Sequence, residues 1–321
     1  MARAPSPRAQ SSETQSPETV SPETVSSGGP DDVAMTAVVV NHDAGEVLLA
    51  CVASLLADGV DDVIVVDNAS SDGSTRALEA AYPQITVVRT GANLGYGAGA
   101  NRGIAVAGTD LVLVSNSDVA VHAGARAALV GALEADPTLA VVGPRIEDPD
   151  GTRYPSARRF PSFAAAAGHA LLVGVAPGNR FTRRYRMADL DASGTAEVDW
   201  VSGACFLARR RALTELDGFD EGYFMYAEDT DLCWRARRAG WGVAYVPGAV
   251  VTHLHGVSTA RRPYRMLLAH HRSVLRFASR TTTGWRRLAL PVVALVLALR
   301  LAFMCARQAS LALRRPPGWA D

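Results

Sequence analysis

Lysine is absent from this 321-residue chain, so all 32 basic side chains are arginine. Such uniformity is the codon preference of a GC-rich genome and marks no site by itself. Cysteine is scarce: Cys51, Cys205, Cys233 and Cys305 are scattered, with no C-x-x-C pair and no metal-ligand spacing. That excludes a disulfide scaffold or a zinc ribbon and points to a reduced cytosolic compartment. No apolar run near the first residue serves as a secretory signal, so the catalytic part is expected to stay inside the cell. Net charge is absent too, with 32 acids against 32 bases, and no nucleic-acid partner is expected. The balance is uneven along the chain, however. From Gly256 onward twelve arginines face one acid, Asp321, so this portion is expected to meet something anionic.

The 48% hydrophobic content supports one large α/β core with appendages. Residues 1–33 hold the tandem repeat Ser16-Pro17-Glu18-Thr19-Val20 and Ser21-Pro22-Glu23-Thr24-Val25. Such a composition buries too little apolar area to offset ordering entropy, and reads as a disordered tail, either inert or a phosphorylated arm. A catalytic domain is placed at 34–258. Strands are expected at Thr36–Val40, Val63–Val66, Thr86–Arg89 and Leu111–Val114, with helices at Glu46–Leu56 and Asn101–Ala107. Polar residues collect at the carboxyl ends of these strands, where open parallel sheets bind ligands. Arg153–Asp191 reads as an irregular connection, Val198–Ala208 as a buried strand and turn, Thr230–Ala239 as a helix and Val243–Val246 as a strand. Residues 259–321 form a helical extension. There Pro263–Ser279 suits an amphipathic helix, and Leu288–Leu299 is a twelve-residue apolar run holding Pro291 and closed by Arg300. A span needs about 20 residues, so an arginine-flanked helix lying on anionic lipid is expected. A helix packed on the core or in a dimer is the alternative.

Four segments carry chemistry. Asp67-Asn68-Ala69-Ser70 leaves a strand where a carboxylate can bind a base or ribose, although it serves equally as turn chemistry. Asn93-Leu94-Gly95-Tyr96-Gly97-Ala98-Gly99-Ala100-Asn101-Arg102-Gly103 follows a strand and also fits G-x-G-x-x-A, which keeps a nicotinamide-dependent oxidoreductase in view. Asn116-Ser117-Asp118 ends an apolar strand, where Asp118 can supply a hard oxygen to a phosphate-bridging ion or form an ordinary Asx turn. Gly218 to Arg235 gathers several acids beside aromatic residues, and Glu228-Asp229 suits proton abstraction from a hydroxyl that aromatic faces hold. His253 follows a strand where a further metal ligand is useful.

In this order the motifs resemble glycosyltransferase family 2, the inverting GT-A transferases, over about residues 35–260. Thr90–Gly97, Asp148–Gly151, Tyr154–Arg158, Tyr223–Tyr226 and Ala269–Ser273 are further similar to the actinobacterial branch that builds a cell-wall linker. The resemblance implies a GT-A fold: a Rossmann-like, mixed and mostly parallel sheet flanked by helices. It implies that Asp67 binds base or ribose, with Asn41, Asn68, Asn93, Gly95, Asn101 and Asn116 lining the nucleotide-sugar site. Asp118 becomes the metal ligand of the family's Asp-x-Asp, with Asn116 in place of the first acid, and His253 the second ligand. Asp229 becomes the general base with Glu228 shaping the site; Trp200, Ser202, Gly203 and Tyr226 fall on the acceptor side. The implied cofactor is Mg²⁺ or Mn²⁺. The implied donor is dTDP-L-rhamnose and the acceptor N-acetylglucosamine on a polyprenyl diphosphate, at the cytoplasmic face of a bacterial plasma membrane. A second copy of the chain is admitted as a partner. A dehydrogenase and a non-catalytic membrane adaptor are the competing classes.

Overall fold

The computed structural model describes residue 1 and residues 33–60, 62–160, 178–187, 193–254 and 263–313. The expected tail, save Met1 and Val33, lies outside these residues, as do Arg314 and Arg315. Strands β1 (Met35–Asn41), β2 (Asp62–Asp67), β3 (Thr86–Arg89) and β4 (Leu111–Asn116) run parallel in the order β3-β2-β1-β4. Helices α1 (Val47–Ala57), α2 (Ser74–Ala81) and α3 (Tyr96–Ile104) connect them. β1 is apolar on both faces because both are covered: Ala37 and Val39 join one core, Val38 and Val40 the other. α1 meets the first core along one stripe, burying Leu48, Cys51, Val52 and Leu55 at helical spacing.

Residues 119–152 give no assignment from sequence pattern, yet they form β5 (Val119–Val121), α4 (Ala125–Ala135) and the central β6 (Leu139–Glu147). Pro144 disguises β6, since proline supplies no ladder donor. It is tolerated because β11 (Cys205–Arg209) pairs with β6 only at Val141 and Val142. On the other side β12 (Gly242–His253) bulges between Val246, opposite Pro144, and Val250. The complete path is β3-β2-β1-β4-β11-β6-β12-β5, with β11 antiparallel between parallel neighbours. This is the expected mixed, mostly parallel sheet between helices.

The irregular connection holds only short pieces among its described residues. They are β7 (Arg153–Tyr154), β8 (Ala157–Arg158) and α5 (Arg180–Tyr185), followed by β9 (Ala196–Glu197) and β10 (Trp200–Val201). α6 (Arg210–Glu215) and α7 (Glu228–Arg238) cover the α3 side.

In the extension, α8 (Pro263–Thr281) is fastened to the core by charge. Arg276 donates to Asp220 at 2.8 Å, Arg280 to Asp220 and Asp231 at 3.2 Å, and the Ser273 hydroxyl to the Met225 carbonyl at 2.8 Å. α9 (Leu290–Leu313) corrects the twelve-residue expectation. With the preceding 3-10 turn, Gly284–Ser310 is long and apolar enough to cross a membrane by length and composition. Arg300 does not end the helix because arginine is a good helix former, and Pro291 falls in the first turn, where no donor is needed.

Candidate active site

The carboxyl ends of β1, β2 and β4 open into a cavity of about 770 Å³, closed on the other side by the start of α7 and by α8. At one end of it lies Asp118, in the turn between β4 and β5. Because β5 pairs antiparallel with β12, His253 stands opposite Val119, and the Leu254 N–H donates to the Asp118 carbonyl at 3.0 Å. His253 Nε2 thereby lies 3.0 Å from Asp118 Oδ1, with only 10% and 11% of the two side chains exposed. Asn116 Nδ2 is 3.2 Å from the same nitrogen. Among the described residues no three His, Cys, Asp or Glu side chains gather as a closed metal cage. A carboxylate beside an imidazole at a cavity wall fits a divalent cation that takes its remaining ligands from phosphate and water.

The second cluster is built by strain. Tyr226 and Ala227 both adopt left-handed backbone, with φ of 71° and 63°, which costs about 1–3 kcal/mol each. That turn delivers Glu228 and Asp229 into the first turn of α7, inside the cavity. Asp229 Oδ2 accepts from the Gly203 N–H at 2.8 Å. Its Oδ1 accepts from the N–H and hydroxyl of Thr230 at 2.6 and 3.2 Å. A Cβ on residue 203 would lie 3.0 Å from the Asp229 Cβ, so Gly203 permits the close approach. Burial raises the pKa of both carboxyls. For Glu228, burial and the charge of Asp229 push it up to about 8, and its Oε2 finds no hydrogen-bond partner among the described residues. The three donors to Asp229 and the nearby Arg158 guanidinium oppose that rise, so Glu228 holds a proton more readily than Asp229 does.

The remaining expected residues divide. Asn68, Asn93, Asn116, Trp200, Ser202, Gly203 and Tyr226 line the cavity with the two clusters. Asn41, Asp67, Gly95 and Asn101 do not. Asn41 is fully buried and donates to Ser70, Ser74 and Thr75, while Asp67 accepts from the Ser70 N–H at 2.8 Å in its own turn. Asn101 holds the backbone of Phe219 from both sides. Gly95 is where Phe224 crosses: an added Cβ would lie 2.2 Å from the Phe224 carbonyl oxygen, and that oxygen accepts from the Tyr96 N–H. The start of α3 is therefore occupied by the chain itself, and its glycines serve packing. Gly97 abuts Phe219, Gly99 abuts Val40, and Gly103 abuts Val38 and Val66. A dinucleotide pyrophosphate has no place there, which removes the oxidoreductase reading.

Several lining residues went unassigned in the sequence. His42 and Asp43 stand beside the β1 end, where the loop gives no motif, and Ser71 follows the Asp67–Ser70 turn after β2, where it reads as a helix cap. Arg158 is stacked 4.9 Å from the Trp200 ring and donates to the Tyr154 hydroxyl at 2.8 Å. Its only signal was its place in the Tyr154–Arg158 stretch. Arg265, Met266, His270, Val274 and Phe277 come from α8, beyond the boundary set at residue 258. Asp220, Glu221 and Asp231, by contrast, leave the acidic cluster for structural pairs with Arg276, Arg102 and Arg235.

Comparison with known proteins gives a consistent picture. Over 236 residues the chain is 43% identical to the N-acetylglucosaminyl-diphospho-decaprenol L-rhamnosyltransferase of Mycobacterium tuberculosis, spanning 70% of this chain and 76% of that one. Its fold matches the mannosyltransferase PcManGT from Pyrobaculum calidifontis, solved with GDP-Man and Mn²⁺. That match has a TM-score of 0.53 and 18% identity, over 90% of this chain and 83% of the other. It also matches S. aureus TarS 1-349 in complex with UDP, with a TM-score of 0.52 and 14% identity, over 89% and 76%. The family described as "Glycosyltransferase like family 2" covers residues 30–268, from just before β1 into α8, and the chain is a member of that glycosyltransferase family.

Proposed function

We propose that this enzyme transfers L-rhamnose from dTDP-L-rhamnose to N-acetylglucosamine carried on a polyprenyl diphosphate, with inversion at the anomeric carbon. The observation that carries the reading is the 43% identity to the mycobacterial rhamnosyltransferase over nearly the whole GT-A domain. The common cavity of Asp118, His253 and Asp229 supports it independently. The nucleotide occupies the wall formed by Asn68, Asn93, Asp43 and Ser71. Asp118 and His253 would hold Mg²⁺ or Mn²⁺, which would supply charge to offset that of the departing nucleotide diphosphate. The mixed oxygen and nitrogen donor set favours Mn²⁺ over Mg²⁺, which prefers oxygen alone. Asp229, oriented by Gly203 and Thr230, takes the proton from the acceptor hydroxyl as that oxygen attacks. Glu228, neutral beside it, adds no second negative charge to the acceptor's approach. Trp200, Ser202 and Tyr226 form the acceptor wall. No enzyme nucleophile is required, since one displacement inverts the centre.

The enzyme works at the cytoplasmic face of the plasma membrane, with α9 lying in the interface. Val292, Leu295, Val296, Leu299 and Phe303 form an exposed apolar stripe at helical spacing on it, preceded by exposed Leu288 in the 3-10 turn, while Arg300 lies mid-helix, where a span carries a charge at high cost. The test is incubation of purified protein with a panel of dTDP- and UDP-sugars and prenyl-diphosphate N-acetylglucosamine, with Mn²⁺ or with chelator. Metal-dependent transfer of rhamnose from the dTDP-sugar is the expected result. Transfer of another sugar in its place overturns the donor assignment.

A further inference from the structure

A second cavity, of about 580 Å³, lies between α8 and α9 and shares Tyr226, Met266 and His270 with the catalytic one. Its far wall comes from α9, where Arg300, Met304 and Arg307 follow one another at helical spacing. No carboxylate lies within ion-pair distance of Arg300 or Arg307 among the described residues, and neither does one for Arg265, which reaches the catalytic cavity over the Phe224 ring at 4.7 Å. Two other arginines of α8 are treated differently: Arg276 and Arg280 are spent on Asp220 and Asp231. The lining of the recess is otherwise mostly apolar, with Pro263, Met266, Leu267 and Met304, so two guanidinium groups without a carboxylate on its rim call for an anion with several oxygens joined to an apolar body. The recess is flanked by the apolar stripe of α9 on one side and by the acceptor wall at Tyr226 on the other.

We infer that the cavity between α8 and α9 is the seat of the acceptor's prenyl diphosphate, whose oxygens Arg300 and Arg307 bind while Arg265 guards the passage into the catalytic cavity. The inference rests on the proposed function, and it adds where the lipid-linked half of the substrate is held. Three observations commit the site to this occupant. It adjoins the catalytic cavity across Tyr226 and His270, which line both and whose rings meet edge to face at 5.5 Å. Its charge is positive and uncancelled: burial, with His271 and Arg300 nearby, pushes the His270 pKa down to about 4 and leaves the cationic role to the arginines. The same helix also offers the apolar face along which a prenyl chain can run into lipid. A sugar in the catalytic cavity, a diphosphate in the second and a hydrocarbon tail along α9 follow the order of the acceptor's own covalent structure.

The test uses the full chain in detergent micelles and two acceptors: prenyl-diphosphate N-acetylglucosamine, and an alkyl N-acetylglucosaminide without the diphosphate. For the double variant Arg300→Gln/Arg307→Gln, the KM for the diphosphate acceptor is expected to rise about ten- to a hundred-fold, the loss of two charged hydrogen-bonded contacts. Preference for the diphosphate acceptor over the alkyl glycoside falls with it, while donor affinity is retained. Arg300→Lys/Arg307→Lys restores part of the preference by keeping the charge. An unchanged preference in the glutamine variant overturns the inference. So does a defect confined to binding of phosphatidylglycerol vesicles, which assigns the arginines to the lipid surface. Failure of the unmodified enzyme to use either acceptor would instead overturn the functional reading, so the two failures are distinct.

Discussion

Asp229 and Glu228 are neighbours in sequence held in unlike surroundings. Asp229 has three donors on its oxygens, whereas Glu228 has an oxygen with no partner among the described residues. Asp229→Asn keeps the size and the Gly203 contact but removes the proton acceptor. Turnover is expected to fall about 10²–10⁴-fold with donor binding retained, as measured by steady-state rates and donor titration. Near-normal turnover would assign the base elsewhere. Glu228 leaves a thermodynamic mark. Burial and the charge of Asp229 push its carboxyl from the ordinary 4.5 up to about 8 on folding, so between these values the native state holds the extra proton. Stability is then highest below the unfolded value and is lost as pH rises through the folded one, with a slope of up to about 1.4 kcal/mol per pH unit. Glu228→Gln, neutral at every pH, is expected to flatten that slope in denaturant unfolding from about pH 5 to pH 9. Equal slopes in the two proteins would sink the assignment.

At the scale of elements, α3 presses so closely on the sheet that its glycines leave no room for a methyl group. A Cβ on residue 103 would stand 2.3 Å from a Val38 methyl and 2.9 Å from one of Val66, both in buried strands. Gly103→Ala is expected to destabilise by about 1–3 kcal/mol through overpacking, despite alanine's better helix propensity. A thermal unfolding midpoint at or above that of the parent would contradict this. The joint between α7 and α8 is electrostatic. Asp231 is fully buried and receives Arg235 at 2.7 Å, Arg280 at 3.2 Å and the Tyr223 hydroxyl at 3.2 Å. Asp231→Ala strands Arg235 in a largely buried place and is expected to cost about 3 kcal/mol in urea unfolding. A cost below about 0.5 kcal/mol, typical of a surface change, would show the joint to be dispensable.

For the whole molecule, the catalytic body and the apolar helix α9 separate at the end of α8. Ion pairs and the Ser273 contact fasten α8 to the core, while α9 exposes its apolar face. A chain ending at Thr281 is therefore expected to fold, to bind the nucleotide donor and to leave the membrane fraction for the soluble one. Full pelleting of this shortened chain with membranes would place the anchor elsewhere.

The parallel half of the sheet was legible because β1, β2 and β4 are apolar on both faces and end in polar residues, a local pattern that needs no partner to be seen. That Asp118, His253 and the Glu228-Asp229 pair line a cavity was legible because strand ends and helix starts confine a side chain to one place. Tertiary structure alone decided the rest. Pro144 hid β6, and the short pairing with β11 and the bulge of β12 together accommodate it. Asn101, Gly95 and Asp67 carried the right residue types in the right motifs, yet a backbone segment or turn more than local pattern could foretell had already claimed each of them. Arg158, His42 and the α8 residues entered the cavity through contacts between segments far apart in the chain. Sequence fixes which side chains a short segment presents; which of them face a shared cavity depends on long-range pairing, whose energy belongs to no single segment.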